Sequence, residues 1–302
     1  MTAADECHLV ARQQVAAAYE QILDRVRAWS DREEPVRAVV VIGSRVRLDH
    51  PADEWADLDL LVMVEGDAAY AEDDGWASAI GEVCISFVQP TPDQRGRERR
   101  VLFAGGLDVD FAFVEARVAA TALATDPTAA AIALGRGMRV LVDKDGILER
   151  AGELGPPLPP TLPDQGALDN LRADFWYHAV WTAKHLRRGE LWWAKGCCDG
   201  HLKELLVQML EWNATANGRD HWFRGRFLEE WADPAAIVGM RAAFARYDLE
   251  DTWRALTATM DVFSDVERRT AALLRLDRRP EIEDRARDLV TQVRGETAPD
   301  RA

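Results

Sequence analysis

Apolar residues near the N-terminus recur with a helical period. Val15, Tyr19, Ile22, Val26 and Trp29 share one stripe, which predicts an opening amphipathic helix. The period then changes. Ala38 to Ile42 is an unbroken apolar run closed by Gly43-Ser44, the pattern of a buried strand ending in a turn. Asp57 to Val64 reads as a second strand, Val83 to Val88 and Arg100 to Phe103 as a third and fourth, and Arg139 to Val142 as a short last one. Between them Leu107 to Val114 alternates, with Val109, Phe111 and Phe113 on one face and Asp108 and Asp110 on the other. These elements predict a domain built on a small sheet with flanking helices, in the α/β or α+β class.

Strand signals stop at a stretch with five prolines, Pro156, Pro157, Pro159, Pro160 and Pro163. Proline lacks an amide proton and has a fixed φ, so this stretch suits neither a helix interior nor a central strand. We read residues 153–166 as an extended linker, 1–152 as a first domain and 167–302 as a second. Beyond it the period is helical throughout. Leu168, Leu171, Phe175, Ala179, Thr182 and Leu186 mark one face, and Leu202, Leu205, Leu206, Met209 and Trp212 another. The second domain is expected to be an all-α bundle.

Composition narrows the class. Of 302 residues, 48% are hydrophobic and 29% charged, which is the balance of a folded chain. The N-terminus, MTAADECHLVARQQ, has acids where a signal peptide has bases and an apolar core, and no uncharged run reaches the ~18 residues of a membrane span. A cytoplasmic protein without membrane contact is expected. Cys7, Cys84, Cys197 and Cys198 fit neither a zinc spacing nor a disulfide framework. The net charge of −15 argues against a nucleic-acid partner, because such binding neutralises phosphates with Lys and Arg. The charge is uneven: residues 1–164 hold 29 acids against 16 bases, residues 165–302 hold 23 against 21.

The chemistry concentrates in three short pieces. Gly43-Ser44 after a buried strand places backbone N–H groups and a hydroxyl at a sheet edge, a geometry suited to phosphate. Asp57 and Asp59, two apart at a strand start, point their carboxylates the same way and would repel unless a cation lay between them. Hard oxygen donors of this kind suit Mg²⁺ held together with substrate phosphates. Asp110 comes from another strand and would add a third carboxylate if that strand lay alongside, with Asp108 the competing choice. Three acids and a phosphate turn predict metal-assisted phosphoryl or nucleotidyl transfer.

These pieces carry a resemblance. Val41-Ile42-Gly43-Ser44-Arg45-Val46 with Asp53-Glu54-Trp55-Ala56-Asp57-Leu58-Asp59-Leu60 resembles the nucleotidyltransferase signature of the aminoglycoside 6-adenylyltransferases, the streptomycin-modifying enzymes. The likeness continues at Val109-Asp110-Phe111, Val140 to Asp145, Asp174-Phe175-Trp176, Ala183-Lys184, Ala194-Lys195 and Met209 to Trp212, and weakens after about residue 230. Asp174 departs from it, since the family carries Asn there. The resemblance implies an α+β nucleotidyltransferase fold with a mixed sheet, followed by a helical substrate-binding domain. It implies ATP as co-substrate and Mg²⁺ as cofactor, with a hydroxyl attacking the α-phosphorus and pyrophosphate leaving. Asp57 and Asp59 would hold metal, Asp110 would serve as third ligand or general base, and Gly43, Ser44 and Arg45 would grip the β- and γ-phosphates. Lys184 would reach the triphosphate.

The expected acceptor is a small cationic molecule, an aminoglycoside such as streptomycin, and the expected state a monomer or weak dimer. A lincosamide, a protein or an RNA 3′ end as acceptor, and a non-catalytic nucleotide-binding role, are the alternatives; three acids in place disfavour the last. Several features read as structural. Arg95, Arg97, Arg99 and Arg100 suggest a solvated loop, His178 and His185 satisfied or exposed histidines rather than metal ligands, and most of the 11 tryptophans packing; Lys203 is expected to have no part in ATP binding.

Overall fold

The computed structural model describes residues 3–47, 49–65, 69–91, 96–126, 130–131, 134–149, 151 and 161–295. The chain divides into two compact units, Met1–Leu158 and Pro159–Ala302. Residues 153–160 of the expected linker lie outside the described residues, and 161–164 are coil leading into the first helix of the second unit.

The first unit opens with α1 (Ala3–Arg32), followed by β1 (Val36–Ile42), β2 (Leu58–Val64), β3 (Val83–Pro90), β4 (Arg97–Phe103), β5 (Leu107–Glu115), α2 (Ala116–Thr125) and β6 (Arg139–Asp143). The sheet order is β3-β4-β5-β2-β1-β6. Only β2 and β5 run parallel; the other neighbours are antiparallel, so the sheet is mixed. One sheet face carries Val39, Val41, Leu58, Leu60, Val62, Val109, Phe111 and Phe113, and packs on the Tyr19, Ile22, Val26 and Trp29 stripe of α1. The opposite face has a smaller core of Ala38, Val40, Met63, Ala116, Leu134, Leu148 and Ala151. Alternation lets β1 feed both cores, and a bulge between Val36 and Ala38 sets Val36 on the face of Val39 and Val41.

The arginine run is not a solvated loop. Arg97–Phe103 is strand β4, paired on both sides. Arg99 is buried, and its guanidinium donates to the carbonyls of Ala71 and Glu72 and to Ser86 Oγ. Arg99 shares its strand face with Val101 and Phe103 of the core, whereas Arg97, on the same face at the strand's start, is exposed. Arg95 lies outside the described residues.

The second unit is all helical: α3 (Gln165–Arg187), α4 (Leu191–Gly196), a π-helical turn (Cys197–His201), α5 (Leu202–Ala216), α6 (Leu228–Trp231), α7 (Pro234–Met240), α8 (Leu249–Leu274) and α9 (Pro280–Gly295). Asp164, Asp233 and Asp248 accept backbone N–H bonds at the starts of α3, α7 and α8, satisfying donors that a helix leaves open. Trp253, Leu256, Met260, Phe263 and Val266 form the buried stripe of α8, and Phe263 stacks on Phe175 of α3 at 3.6 Å. Trp176 and Trp253 are core, whereas Trp192 and Trp193 are 77% and 59% exposed. No helix among the described residues is long and apolar enough to cross a membrane.

Lys203 is buried. It is 6% exposed, and its ammonium donates to the Cys198 carbonyl and to Thr259 Oγ1, both at 2.8 Å. Burial lowers its pKa.

Candidate active site

The parallel pairing of β2 with β5 builds the site. Asp59 lies opposite Asp110 in the register, and Asp110 lies opposite Arg100 across the antiparallel β4–β5 pair. Arg100, Asp110 and Asp59 therefore form one row over three adjacent strands. Asp57, just ahead of β2, joins the row's end. The carboxylates of Asp57, Asp59 and Asp110 each offer an oxygen within 4.8 Å of the other two.

β1 delivers the fourth piece. It ends at Ile42, opposite Asp59, and the chain turns through a 3₁₀ turn, Gly43–Arg45. Gly43 has φ +74°, and a β-carbon there would sit 2.0 Å from Asp59 Oδ2. Only glycine allows both that backbone conformation and that approach. Ser44 is buried, and its Oγ has no hydrogen-bond partner among the described residues.

The electrostatics are unbalanced. Asp110 is 4% exposed. Its Oδ2 meets Arg100 Nη2 at 2.6 Å, while Oδ1 is buried with no hydrogen-bond partner among the described residues. Burial raises the Asp110 pKa to about 7; Arg100 opposes the shift, and Asp59 and Asp57 add to it. Burial also raises Asp108, helped by the charge of Asp57. Asp108 stands outside the three-carboxylate cluster and is tied to α1 by its backbone N–H, which donates to the Tyr19 hydroxyl at 3.1 Å.

A divalent ion with phosphate fits this donor set. Three hard carboxylate oxygens converge, two buried polar atoms have no hydrogen-bond partner among the described residues, and Gly43 lets the Asp59 carboxylate pack against the turn.

Arg45 is engaged away from the cluster. Nε donates to the Asp57 carbonyl at 2.9 Å, Nη2 to the Ala56 carbonyl, and the guanidinium lies 3.4 Å from the Tyr19 ring centroid. It fastens the segment carrying Asp57 to α1. Lys184 is exposed on α3 of the second unit. Sequence reasoning missed Arg100 as the partner of Asp110. The available signal was its place in a strand that alternates in step with Leu107 to Val114.

Comparison with known proteins places the chain. A family model described as streptomycin adenylyltransferase matches residues 17–293. The chain belongs to the streptomycin adenylyltransferase family and is, with it, a nucleotidyltransferase. An aminoglycoside 6-adenylyltransferase of Campylobacter jejuni is 20% identical over 271 residues, covering 84% of this chain and 88% of that protein. One of Bacillus subtilis strain 168 is 20% identical over 267 residues, covering 81% and 87%. The crystal structure of an aminoglycoside 6-adenyltransferase from Bacillus subtilis aligns over 92% of this chain and 97% of its own, with 16% identity and a TM-score of 0.42.

Proposed function

We propose that the chain transfers AMP from ATP to a hydroxyl of an aminoglycoside, with streptomycin the first candidate, and that the site is the carboxylate cluster on β2 and β5. The observation that supports this most is the convergence of Asp57, Asp59 and Asp110 beside the Gly43–Ser44 turn. Asp57 and Asp59 would hold Mg²⁺, with Gly43 and Ser44 beside the β- and γ-phosphates. The chemistry supplied there would be withdrawal of charge from the phosphate, favouring in-line displacement.

The chain's own groups do the rest. Asp110 Oδ1, unpartnered and attached to the group with the raised proton affinity, takes the proton of the attacking hydroxyl. The hydroxyl oxygen bonds to the α-phosphorus as the bond to the pyrophosphate oxygen breaks. Arg100 holds Asp110 Oδ2 and fixes the carboxylate plane. Arg45 positions Asp57 through its backbone. Lys184 carries over from the resemblance as a contact to the triphosphate.

The acceptor is cationic in this reading. The first 164 residues carry an excess of 13 acids, and one or two divalent ions opposed by a triphosphate leave most of that charge in place. Pyrophosphate release from Mg-ATP, with and without streptomycin, tests the reading. Release that depends on an aminoglycoside is expected. Adenylylation of neutral lincosamides and of no aminoglycoside would overturn the acceptor and leave the transfer chemistry standing.

A further inference from the structure

A second cluster of metal-ligating side chains lies in the helical unit, apart from the carboxylates above. On α3, Asp174 and His178 are one turn apart on the same face. The π-helical turn ends in His201 and brings that ring to them. His178 Nδ1 lies 2.6 Å from Asp174 Oδ1, His201 Nε2 lies 2.9 Å from the same oxygen, and the two ring nitrogens are 3.2 Å apart. One carboxylate oxygen thus faces two imidazole nitrogens that also face each other.

That arrangement is crowded for protons and well suited to a cation. In the metal-free protein an N–H on each nitrogen would compete for Asp174 Oδ1, with the Asp174 carbonyl, 3.0 Å from His178 Nδ1, as a further acceptor. An ion at the centre replaces both and uses the lone pairs of all three atoms. Donors around a tetrahedral ion with bonds of ~2.0–2.1 Å lie ~3.3–3.4 Å apart. The three atoms lie 2.6, 2.9 and 3.2 Å apart, closer than that spacing by up to ~0.8 Å, and χ rotations of these partly exposed side chains would open them to it.

The donor chemistry selects the ion. Two imidazoles and one carboxylate favour borderline metals such as Zn²⁺ over Mg²⁺, which prefers oxygen donors and its own waters. The side chains of Asp174, His178 and His201 are 33%, 31% and 38% exposed, so an ion can enter and a water can complete the fourth position. The π turn supplies the geometry, because the extra residue in its ring moves His201 off the regular α-helical row.

We propose that Asp174, His178 and His201 form a three-ligand transition-metal site, for Zn²⁺ or a metal of similar preference, that fastens α3 to the π turn before α5. It is independent of the adenylyl-transfer reading and of the ion at Asp57 and Asp59. The histidines are ligands here, against the expectation that the α3 histidines are only satisfied or exposed.

The test is zinc titration by calorimetry on untagged protein carrying Cys84→Ser, which removes an exposed thiol. Excess Mg²⁺ saturates the carboxylate cluster throughout. One equivalent of Zn²⁺ bound is expected, with a rise in melting temperature. Asp57→Asn and His185→Gln should leave it unchanged, the His185 ring being held by Glu190 instead. His178→Gln and His201→Gln should each weaken it at least tenfold. Co²⁺ in place of Zn²⁺ reports on the unmutated ligands, so the result does not depend on the variants folding. Intense visible bands of a four-coordinate nitrogen–oxygen site support the proposal. No zinc retained under Mg²⁺, weak octahedral cobalt bands, or binding untouched by both histidine variants would each overturn it.

Discussion

The two units bury charge on opposite terms. In the helical unit Arg172 and Glu267 are each 1% exposed, and every contact is complementary: Arg172 donates to Glu267 at 2.5 Å, to Asp169 at 2.7 Å and to the Asp277 carbonyl at 3.0 Å. In the sheet unit Asp110 is almost as buried, yet it has one arginine, one orphaned oxygen and two carboxylates pressing on it. The first arrangement is complete within the chain. The second is complete only with something from outside. Burial alone therefore does not separate a structural charge from a functional one; unfinished neutralisation does.

Substitutions that cross this contrast should have opposite signatures. Asp57→Asn and Asp59→Asn should abolish nucleotidyl transfer, a loss of at least ~1,000-fold, because several kcal/mol of transition-state stabilisation goes with a metal ligand. Their melting temperature should hold or rise, since one of the repelling charges is gone. Glu267→Gln should do the reverse. It takes one of two carboxylates from a buried guanidinium that keeps Asp169, and should cost about 1.5–3 kcal/mol in denaturant unfolding, with turnover of the folded enzyme unchanged. A thermal melt beside a pyrophosphate assay reads both, and a destabilised Asp59→Asn would erase the distinction.

Gly43→Ala should fall between them. Its β-carbon would displace the Asp59 carboxylate, so kcat should drop on the order of 100-fold while the sheet survives. Next comes proton linkage at Asp110. Unfolded, this carboxyl releases its proton near pH 4; folded and metal-free, it keeps it to about 7. The folded state binds more protons between those limits, so the stability this group contributes is full below the lower pKa and lost as pH rises through the upper one. Melts in EDTA across that range should show the decline, and Asp110→Asn should flatten it. The smallest effects belong to two lysines. Lys184→Ala should raise KM for ATP about tenfold without touching stability. Lys203→Ala should lose ~1–2 kcal/mol of stability without touching KM. An equal KM effect from both would remove Lys184 from the nucleotide site.

Much of the sheet unit was legible because hydrophobic periodicity encodes it directly. The β2 and β5 runs are apolar enough to be strands, and Asp59 and Asp110 stand out because charge interrupts those runs. What stayed hidden depended on pairing. Arg100 looked like one of several surface arginines until its strand was laid beside β5. Arg45 sat within the motif, yet its guanidinium turns to backbone carbonyls that no pattern reveals. In the second unit the helix faces were readable from their stripes. His201 was not, because a π turn shifts the row on which a residue falls, and Lys203 was not, because its partners, Cys198 and Thr259, come from the turn and from α8.

The one-to-one register of β2 on β5 also acts as a proofreading device. Leu58, Leu60 and Val62 oppose Val109, Phe111 and Phe113 on the core side, with Asp59 opposing Asp110 on the other. A slip of one residue would turn the acids toward α1 and the leucines toward the opposite face, forfeiting the larger core before any chemistry was lost. Chains that collapse into the wrong alignment are thus rejected by packing, and those that pass already hold the acids side by side.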